Sequence, residues 1–399
     1  VRIQMLRNAE QSLDIVYHAI QEGEASIAFL GEVLAAAERG VQVRIILDGK
    51  VGAVGNELKV LRTLVSHPNI SCKMYNPISL LKPWEWNSVF HDKFIIVDHE
   101  FLLLGGRNIG DRYYNPENYE GEVTNDRDVL VWKTTDNNES ALDQTADYME
   151  LLWQSKDCMV QKGRISDTSK YQSLIEKALL FEMNNPDYYV DPLDAYLDRM
   201  VTTSKITLIY NPINTTKKEP WVGYHLKELT MHATKSVILQ TPYSTANSDL
   251  LDVLEQIPAE VMMLTNSTAS SPNLPAFSNY YSQRQKFIDT GISIYEFQSS
   301  DSIHGKSLVI DEKISVVGSF NMDDRSLYID TETMLVIDSP EFAGVLLDAI
   351  NHYKEQSLLV GTDNQYVLNE EVTPVPVSGL KKATMKVVSV FSRIFQFLI

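Results

Sequence analysis

Short, dense apolar runs alternate along this chain with longer segments in which apolar residues return every three or four positions. From Ser12 to Ile20 the run is β-branched enough for a buried strand, "SIAFLGEVLAAAERG" then has helical spacing and stops at Gly40, and "VQVRIILDG" predicts a second buried strand. Strand, helix and strand joined by short connections form a parallel βαβ unit. The second half repeats the order, with "SVILQTPYS" as strand, "SDLLDVLEQI" as helix, "EVMMLTNS" as strand, a helix near Tyr280 to Asp289, and "GISIYEFQ" as strand. Later in each half, "KFIIVD" and "SLVID" read as strands, with "EFLLLGG" and "KISVVGS" as their hairpin partners.

Between the halves, residues about 160 to 200 are polar and helical in character, with "NNPDYYVDP" as a break. This predicts a first domain over 1–165, a helical connection over 166–201 and a second domain over 202–360. Residues 361–399 then hold a Pro-rich connector, "NEEVTPVPVSG", and a closing helix. In that helix Lys382, Lys386, Ser389, Arg393 and Gln396 share one stripe, while Val387, Val388, Phe391, Ile394, Phe395 and Leu398 fill the other side. The chain opens at Val1 inside a helical pattern, so a leader of unknown content is expected upstream.

At 399 residues, two domains fit better than one core. No uninterrupted apolar run reaches the roughly 20 residues that span a bilayer. Cys72 and Cys158, the two cysteines, are too few for a disulfide framework or a thiolate metal cluster; they read as small buried hydrophobes in a reducing compartment. The formal charge of −18 weighs against nucleic acid as a partner, since phosphate binders carry a basic excess.

Chemistry enters with a doubled pattern. H-x-K-x4-D occurs as "HDKFIIVD" (His91, Lys93, Asp98) and again 213 residues on as "HGKSLVID" (His304, Lys306, Asp311). Gly105 and Asn108 follow the first copy, Gly318 and Asn321 the second, and the same offset relates Asp111 and Arg112 to Asp324 and Arg325. One such pair alone is surface chemistry; two in one register are a duplicated functional cassette. On a strand, His and Lys two apart share a face, as a common phosphate requires.

Imidazole serves as nucleophile or proton carrier near neutral pH, and a phosphodiester exchange needs both jobs: one His attacks phosphorus, the other protonates the leaving alcohol. Neither job needs a metal, and no cofactor is expected. Lys93, Lys306, Asn108 and Asn321 are the donors expected on the non-bridging oxygens. Each His also needs a carboxylate on its far nitrogen; Asp126 in "NDRDVLV" and Glu332 in "DTETMLV" occupy matching places, with Asp128 competing for the first role. The motif acids Asp98 and Asp311, at strand-to-turn junctions, are given the supporting task of capping turn amides. Trp84 and Trp86 in "KPWEWNSVF" read either as a rim for apolar substrate or as ordinary packing, and His99 as a turn residue.

The repeat H-x-K-x4-D-x6-G-x-x-N is the hallmark of the phospholipase D superfamily, which this chain resembles. The stretches "HDKFIIVDHEFLLLGGRNIGDRYYN", "LTNSTASSPNLPAFSNYYSQRQKFIDTGISIYE" and "HGKSLVIDEKISVVGSFNMDDRSLYIDTE" are most similar to bacterial cardiolipin synthases without an extended N-terminal transmembrane region. The resemblance implies an α/β fold: two α-β-α sandwich domains related by a pseudo-twofold, with one active site at their interface. It implies His91 as nucleophile and His304 as general acid/base, an order that the near symmetry leaves open. Pro242 and Tyr243 in "QTPYS" resemble the family's Pro-Tyr segment; the second half lacks the Arg39-Gly40-Val41 approach of the first.

The function so implied is a phosphatidyltransferase of cardiolipin synthase type; the alternative is a hydrolase or nuclease with water as acceptor. Phospholipid substrates, no nucleic acid and a peripheral place on the cytoplasmic side of a membrane are expected. Residues 381–399 carry four cations and no acid, at about 1 kcal/mol per basic residue near an anionic surface, so this tail is the expected membrane contact; the alternative is that the helix docks onto its own domain.

Overall fold

The βαβ order is realised in two compact units of the computed structural model, which describes residues 1–134, 139–163, 169–271 and 273–394. Unit 1 takes in Val1–Gly121, Asp128–Val201 and Ile213–Thr216; unit 2 takes in Glu122–Arg127, Thr202–Pro212 and Lys217–Ile399. A short piece of each half of the sequence thus belongs to the other unit.

The chain first runs through α1 (Arg2–Asn8), β1 (Ser12–Tyr17), α2 (Glu24–Glu38), β2 (Gln42–Asp48), α3 (Gly55–Leu64) and β3 (Ile70–Tyr75). Next come β4 (Phe94–Val97), β5 (Phe101–Gly105), α4 (Asp111–Tyr114), β6 (Thr124–Asn125), β7 (Asp128–Trp132), α5 (Ala141–Gln154), β8 (Cys158–Val160), α6 (Ser169–Asn184) and α7 (Leu193–Leu197). All but β6 lie in unit 1, whose sheet has the order β7-β5-β4-β1-β2-β3-β8. β1, β2 and β3 are parallel, and β4 joins antiparallel. Ile15 stands between Ile45 and Ile95, all at most 1% exposed.

Helix α6 falls in the segment that sequence reads as a connection, but it is a core helix of unit 1. Leu174, Ala178 and Phe181 are buried, and α6 crosses α2 so closely that a Cβ on Gly31 would stand 2.4 Å from that of Ala178. On the opposite sheet face, α5 sets Tyr148 against Phe94.

Unit 2 continues with β9 (Lys205–Tyr210), α8 (Trp221–Met231), β10 (Ser236–Gln240), α9 (Ser248–Gln256), β11 (Glu260–Asn266), α10 (Leu274–Asp289), β12 (Ser293–Phe297) and β13 (Ser302–Ile303). Then come β14 (Lys306–Ile310), β15 (Ile314–Gly318), α11 (Asp324–Tyr328), β16 (Thr333–Asp338), α12 (Pro340–Lys354), β17 (Ser357–Val360), β18 (Tyr366–Val367) and α13 (Gly379–Ile394). Its sheet order is β18-β17-β12-β11-β10-β14-β15-β16-β9, and β6 pairs separately with β13. Leu239 stands between Met263 and Leu308, the register that Ile15 holds in unit 1.

Helix α13, expected to face a membrane, packs on α10: Met385 is buried in the core and Lys381 Nζ donates to the Ala269 carbonyl at 2.9 Å. Lys382, Lys386 and Val387 are exposed. Of the remaining predicted stripes, the side chains of Phe391, Arg393 and Ile394, and Phe395, Gln396 and Leu398 altogether, lie outside the description. Among the described residues no helix is long and apolar enough to cross a membrane.

Candidate active-site cassettes

Each cassette is a tight hairpin whose turn geometry explains the motif acid. Asp98 and His99 have φ of 52° and 54°, Asp311 and Glu312 of 52° and 56°, the left-handed pair that a tight hairpin turn demands. The Asp98 carboxylate accepts the amides of Glu10, Gln11 and Ser12 at 2.7–2.8 Å, tying the turn to the start of β1. Asp311 does the same for Thr234, Lys235 and Ser236 before β10. Desolvation pushes the Asp311 carboxyl up, but those three amides and the Thr234 hydroxyl outweigh it and hold it down to about 2. Both acids therefore fix the hairpin in place from its far end. At the near end Gly318 faces Lys306 across the ladder, where a Cβ would meet the Thr333 carbonyl at 2.1 Å.

In unit 2, His304 Nδ1 lies 2.5 Å from Asp126 Oδ2, and its backbone amide donates to Asn125 O at 2.6 Å. The β6–β13 pairing brings these residues together. An acceptor on Nδ1 requires the proton there, which leaves Nε2 with its lone pair. Asp126, read from sequence as a carboxylate for a histidine, thus stands against the histidine of the second cassette. Lys306 Nζ bends back to the His304 carbonyl at 2.6 Å, 2.8 and 3.0 Å from the two ring nitrogens. Its burial lowers the ammonium to about 8, against the attraction of Asp126, Glu332 and Asp323. Burial likewise pushes Asp323 up to about 6, although the Ser326 amide opposes it.

Asn321 Nδ2 reaches Tyr243 Oη at 3.4 Å, so the Pro242-Tyr243 segment does flank the cassette. Glu332 is fully buried and accepts the hydroxyls of Ser326, at 2.6 Å, and Ser319. Its charge is felt at Lys306. Two residues not picked from sequence also hold this cassette. Asn266 brackets the Ile303 backbone through both amide atoms, at 2.8 and 2.9 Å, and Arg127 spans Gln240 and Ser307 at 2.7 and 3.3 Å.

In unit 1, Lys93 Nζ likewise bends to the His91 carbonyl. Asn108 accepts the Ala19 amide and donates to the Tyr113 hydroxyl, both at 3.3 Å. His18, also missed from sequence, packs edge-on to the His91 ring at 5.1 Å between centroids, while its Nδ1 lies 2.7 Å from Phe90 O. The signal was positional: His18 follows Ile15 by three residues, as Pro242 follows Leu239. Asp128, the competitor of Asp126, pairs with Arg2 at 2.9 Å and Arg107 at 3.3 Å, a structural clamp within unit 1.

The loop before His91 is apolar and outward. Ile78, Leu80, Leu81, Trp84 and Trp86 are 63, 84, 87, 66 and 44% exposed. Asn76 Nδ2 ties this loop to the carbonyls of Glu85 and Ser88, and Trp86 Nε1 donates to Ser79 O at 2.7 Å. Trp84 is thus mostly exposed, while Trp86 packs in part against its own loop. Cys72 and Cys158 are buried and free, and burial pushes both thiols up, Cys158 to about 12.

Two α-β-α units, each presenting a His-x-Lys hairpin with an Asn beyond it, define a phospholipase D-type enzyme fold. The chain belongs to the family described as "Cardiolipin synthase, PLD-like domain", whose model matches residues 2–150 and 226–354. It is 25% identical over 389 residues to cardiolipin synthase C of Escherichia coli (strain K12), covering 86% of this chain and 80% of that protein. It is 23% identical to a cardiolipin synthase of Staphylococcus aureus (strain Mu50 / ATCC 700699), covering 87% and 63%. Among solved structures, a phosphatidylserine synthase from Haemophilus influenzae Rd KW20 aligns with a TM-score of 0.69 at 14% identity, covering 100% of this chain and 92% of that one.

Proposed function

We propose that the protein is a phosphatidyltransferase of cardiolipin synthase type, which moves a phosphatidyl group onto a hydroxyl of a second phospholipid. In this reading His91 attacks phosphorus, forming a phosphohistidine and breaking the bond to the headgroup alcohol, and His304 delivers the proton to that alcohol. His304 then takes the proton of the incoming hydroxyl, whose oxygen displaces His91. Lys93, Lys306, Asn108 and Asn321 stabilise the equatorial oxygens of both transition states. Asp126 holds the His304 ring in the tautomer that keeps the lone pair on Nε2 for this traffic.

The observation that carries lipid over nucleic acid is the loop Ile78–Trp86. Single strands are held by basic grooves interleaved with stacking aromatics. Here aliphatic residues and two tryptophans stand out into solvent beside one lysine, Lys82, a composition suited to the interfacial region of a bilayer. Lys382 and Lys386 on α13 add positive charge for an anionic leaflet on the cytoplasmic side. Incubation with phosphatidylglycerol, with and without phosphatidylethanolamine, followed by mass spectrometry of the products, tests the reading. Cardiolipin is expected in the wild type and not in His91→Ala; phosphatidic acid alone would indicate a hydrolase, and cleavage of single-stranded DNA with no lipid product a nuclease.

A further inference from the structure

Unit 2 contains an apolar cavity of about 430 Å³ between its sheet and helices α8 and α9. Leu226 of α8, Leu250 and Val253 of α9, Leu239 and Leu308 of the central strands, and Met322 form its walls. Lys306 and Gln240 lie among its lining residues, so the apolar space reaches the cassette's own lysine. The charged groups at the helices, Lys227, Asp249 and Asp252, are on exposed or half-exposed positions, and Asp249 is engaged by the Tyr328 hydroxyl at 2.6 Å.

The cavity follows from helix length. Leu239 occupies the centre of the sheet, where protein interiors are close-packed. Its counterpart Ile15 in unit 1 is fully buried, yet Leu239 stays part-exposed. Helix α2, which covers Ile15, has fifteen residues; α9, in the same place of the βαβ order, has nine. At 1.5 Å per residue, α9 is roughly 9 Å shorter. The extra helix of unit 1, α6, seats on α2, whereas that of unit 2, α13, seats on α10, and among the described residues none of α13 lines the cavity.

We propose that this cavity receives one fatty acyl chain of the phospholipid whose phosphate Lys306 binds. The proposal rests on the lipid reading above and adds a subsite to it. A phosphodiester with an alkyl chain a few bonds away matches an apolar pocket that the cassette lysine helps to line; a nucleotide, with polar sugars on both sides of its phosphate, does not.

The subsite makes turnover depend on chain length. Burying each further methylene is worth roughly fourfold, so kcat/KM on phosphatidylglycerols of 6 to 18 carbons per chain is expected to climb until the pocket is full. Leu250→Trp and Val253→Phe, which narrow the cavity from its half-buried helical wall, are expected to lower kcat/KM for 16-carbon chains about tenfold more than for 6-carbon chains. Binding of cis-parinaric acid, an 18-carbon fluorescent probe, is measured in parallel and does not depend on turnover. Saturable binding that both variants weaken, with melting temperatures near that of the wild type, supports the subsite even if no phosphatidylglycerol is converted, a result that would sink the lipid reading alone. Absent probe binding in the wild type, or binding and chain-length slopes unchanged in both variants, overturns the subsite while leaving any observed cardiolipin synthesis intact.

Discussion

Units 1 and 2 share strand register, hairpin and cassette, yet they treat the same sheet face in opposite ways. Unit 1 seals Ile15 under α2 and α6, at a crossing that only glycine permits. Unit 2 leaves Leu239 part-exposed beneath a nine-residue helix. A duplicated fold therefore tells where the chemistry is placed in each copy, but not what surrounds it. Within its own unit, His304 meets a carboxylate at 2.5 Å and the His91 ring packs edge-on to His18.

The largest effect expected from this divergence lies in the histidines. His91→Ala and His304→Ala should each lower phosphatidyl transfer on the order of 10⁴-fold. They part on a diester with a p-nitrophenolate leaving group, which departs without a proton: His304→Ala should release a stoichiometric burst of p-nitrophenol, and His91→Ala none. Equal behaviour of the two variants would remove the assigned order of roles.

Lys306 comes next, since the site sets its function against stability. With burial lowering its ammonium from 10.5 to about 8, the charged form costs the folded state on the order of 3 kcal/mol below pH 8. The folded-state pKa is the lower one, so this cost is relieved as pH rises from 8 to 10.5 and the unfolded state alone stays protonated. Lys306→Met is expected to lose turnover about 10³-fold while unfolding about 1–3 kcal/mol higher at pH 7, a gain that shrinks towards pH 10.5. Wild-type turnover should also fall as pH rises through 8. Urea titrations of both proteins across that range check the sign.

The neighbouring acids Asp126 and Asp128 separate what was legible in the sequence from what was not. Both hairpins, both cassettes and the βαβ order follow from local patterns: alternation, helical spacing and a repeated motif. Which carboxylate meets which imidazole depends on β6 pairing with β13, a contact 178 residues apart that no local signal encodes. Helix α6 was hidden differently: its buried Leu174, Ala178 and Phe181 form one stripe, but Leu179, Leu180 and Met183 outside it are exposed and blur the helical period. His18 carried no motif at all. Asp126→Asn should lower turnover about 10²-fold with little change in melting, because it disturbs the ring of one histidine. Asp128→Asn should leave turnover at 20 °C near normal and cost about 3 kcal/mol of stability, since Arg2 and Arg107 lose a buried partner. Reversed phenotypes would assign the orienting role to the wrong acid.

The smallest effect tests the packing contrast itself, through two helical glycines. A methyl group on Gly31 would stand 2.4 Å from the Ala178 Cβ and 3.4 Å from the Leu174 carbonyl, and neither can yield without moving α6 off α2. On Gly223 of α8 it would stand 2.5 Å from Leu327 Cδ2, the free end of a side chain that borders the cavity. Both substitutions improve helix propensity by up to about 1 kcal/mol. Overpacking should overcome that gain only where nothing gives way, so Gly31→Ala is expected to destabilise by about 1–2 kcal/mol. Gly223→Ala should stay within about 0.5 kcal/mol of wild type, because Leu327 can turn into the open space. Adding Leu250→Trp, which fills that space, should make Gly223→Ala as costly as Gly31→Ala; a double mutant whose effects simply add would mean that the two units are packed alike.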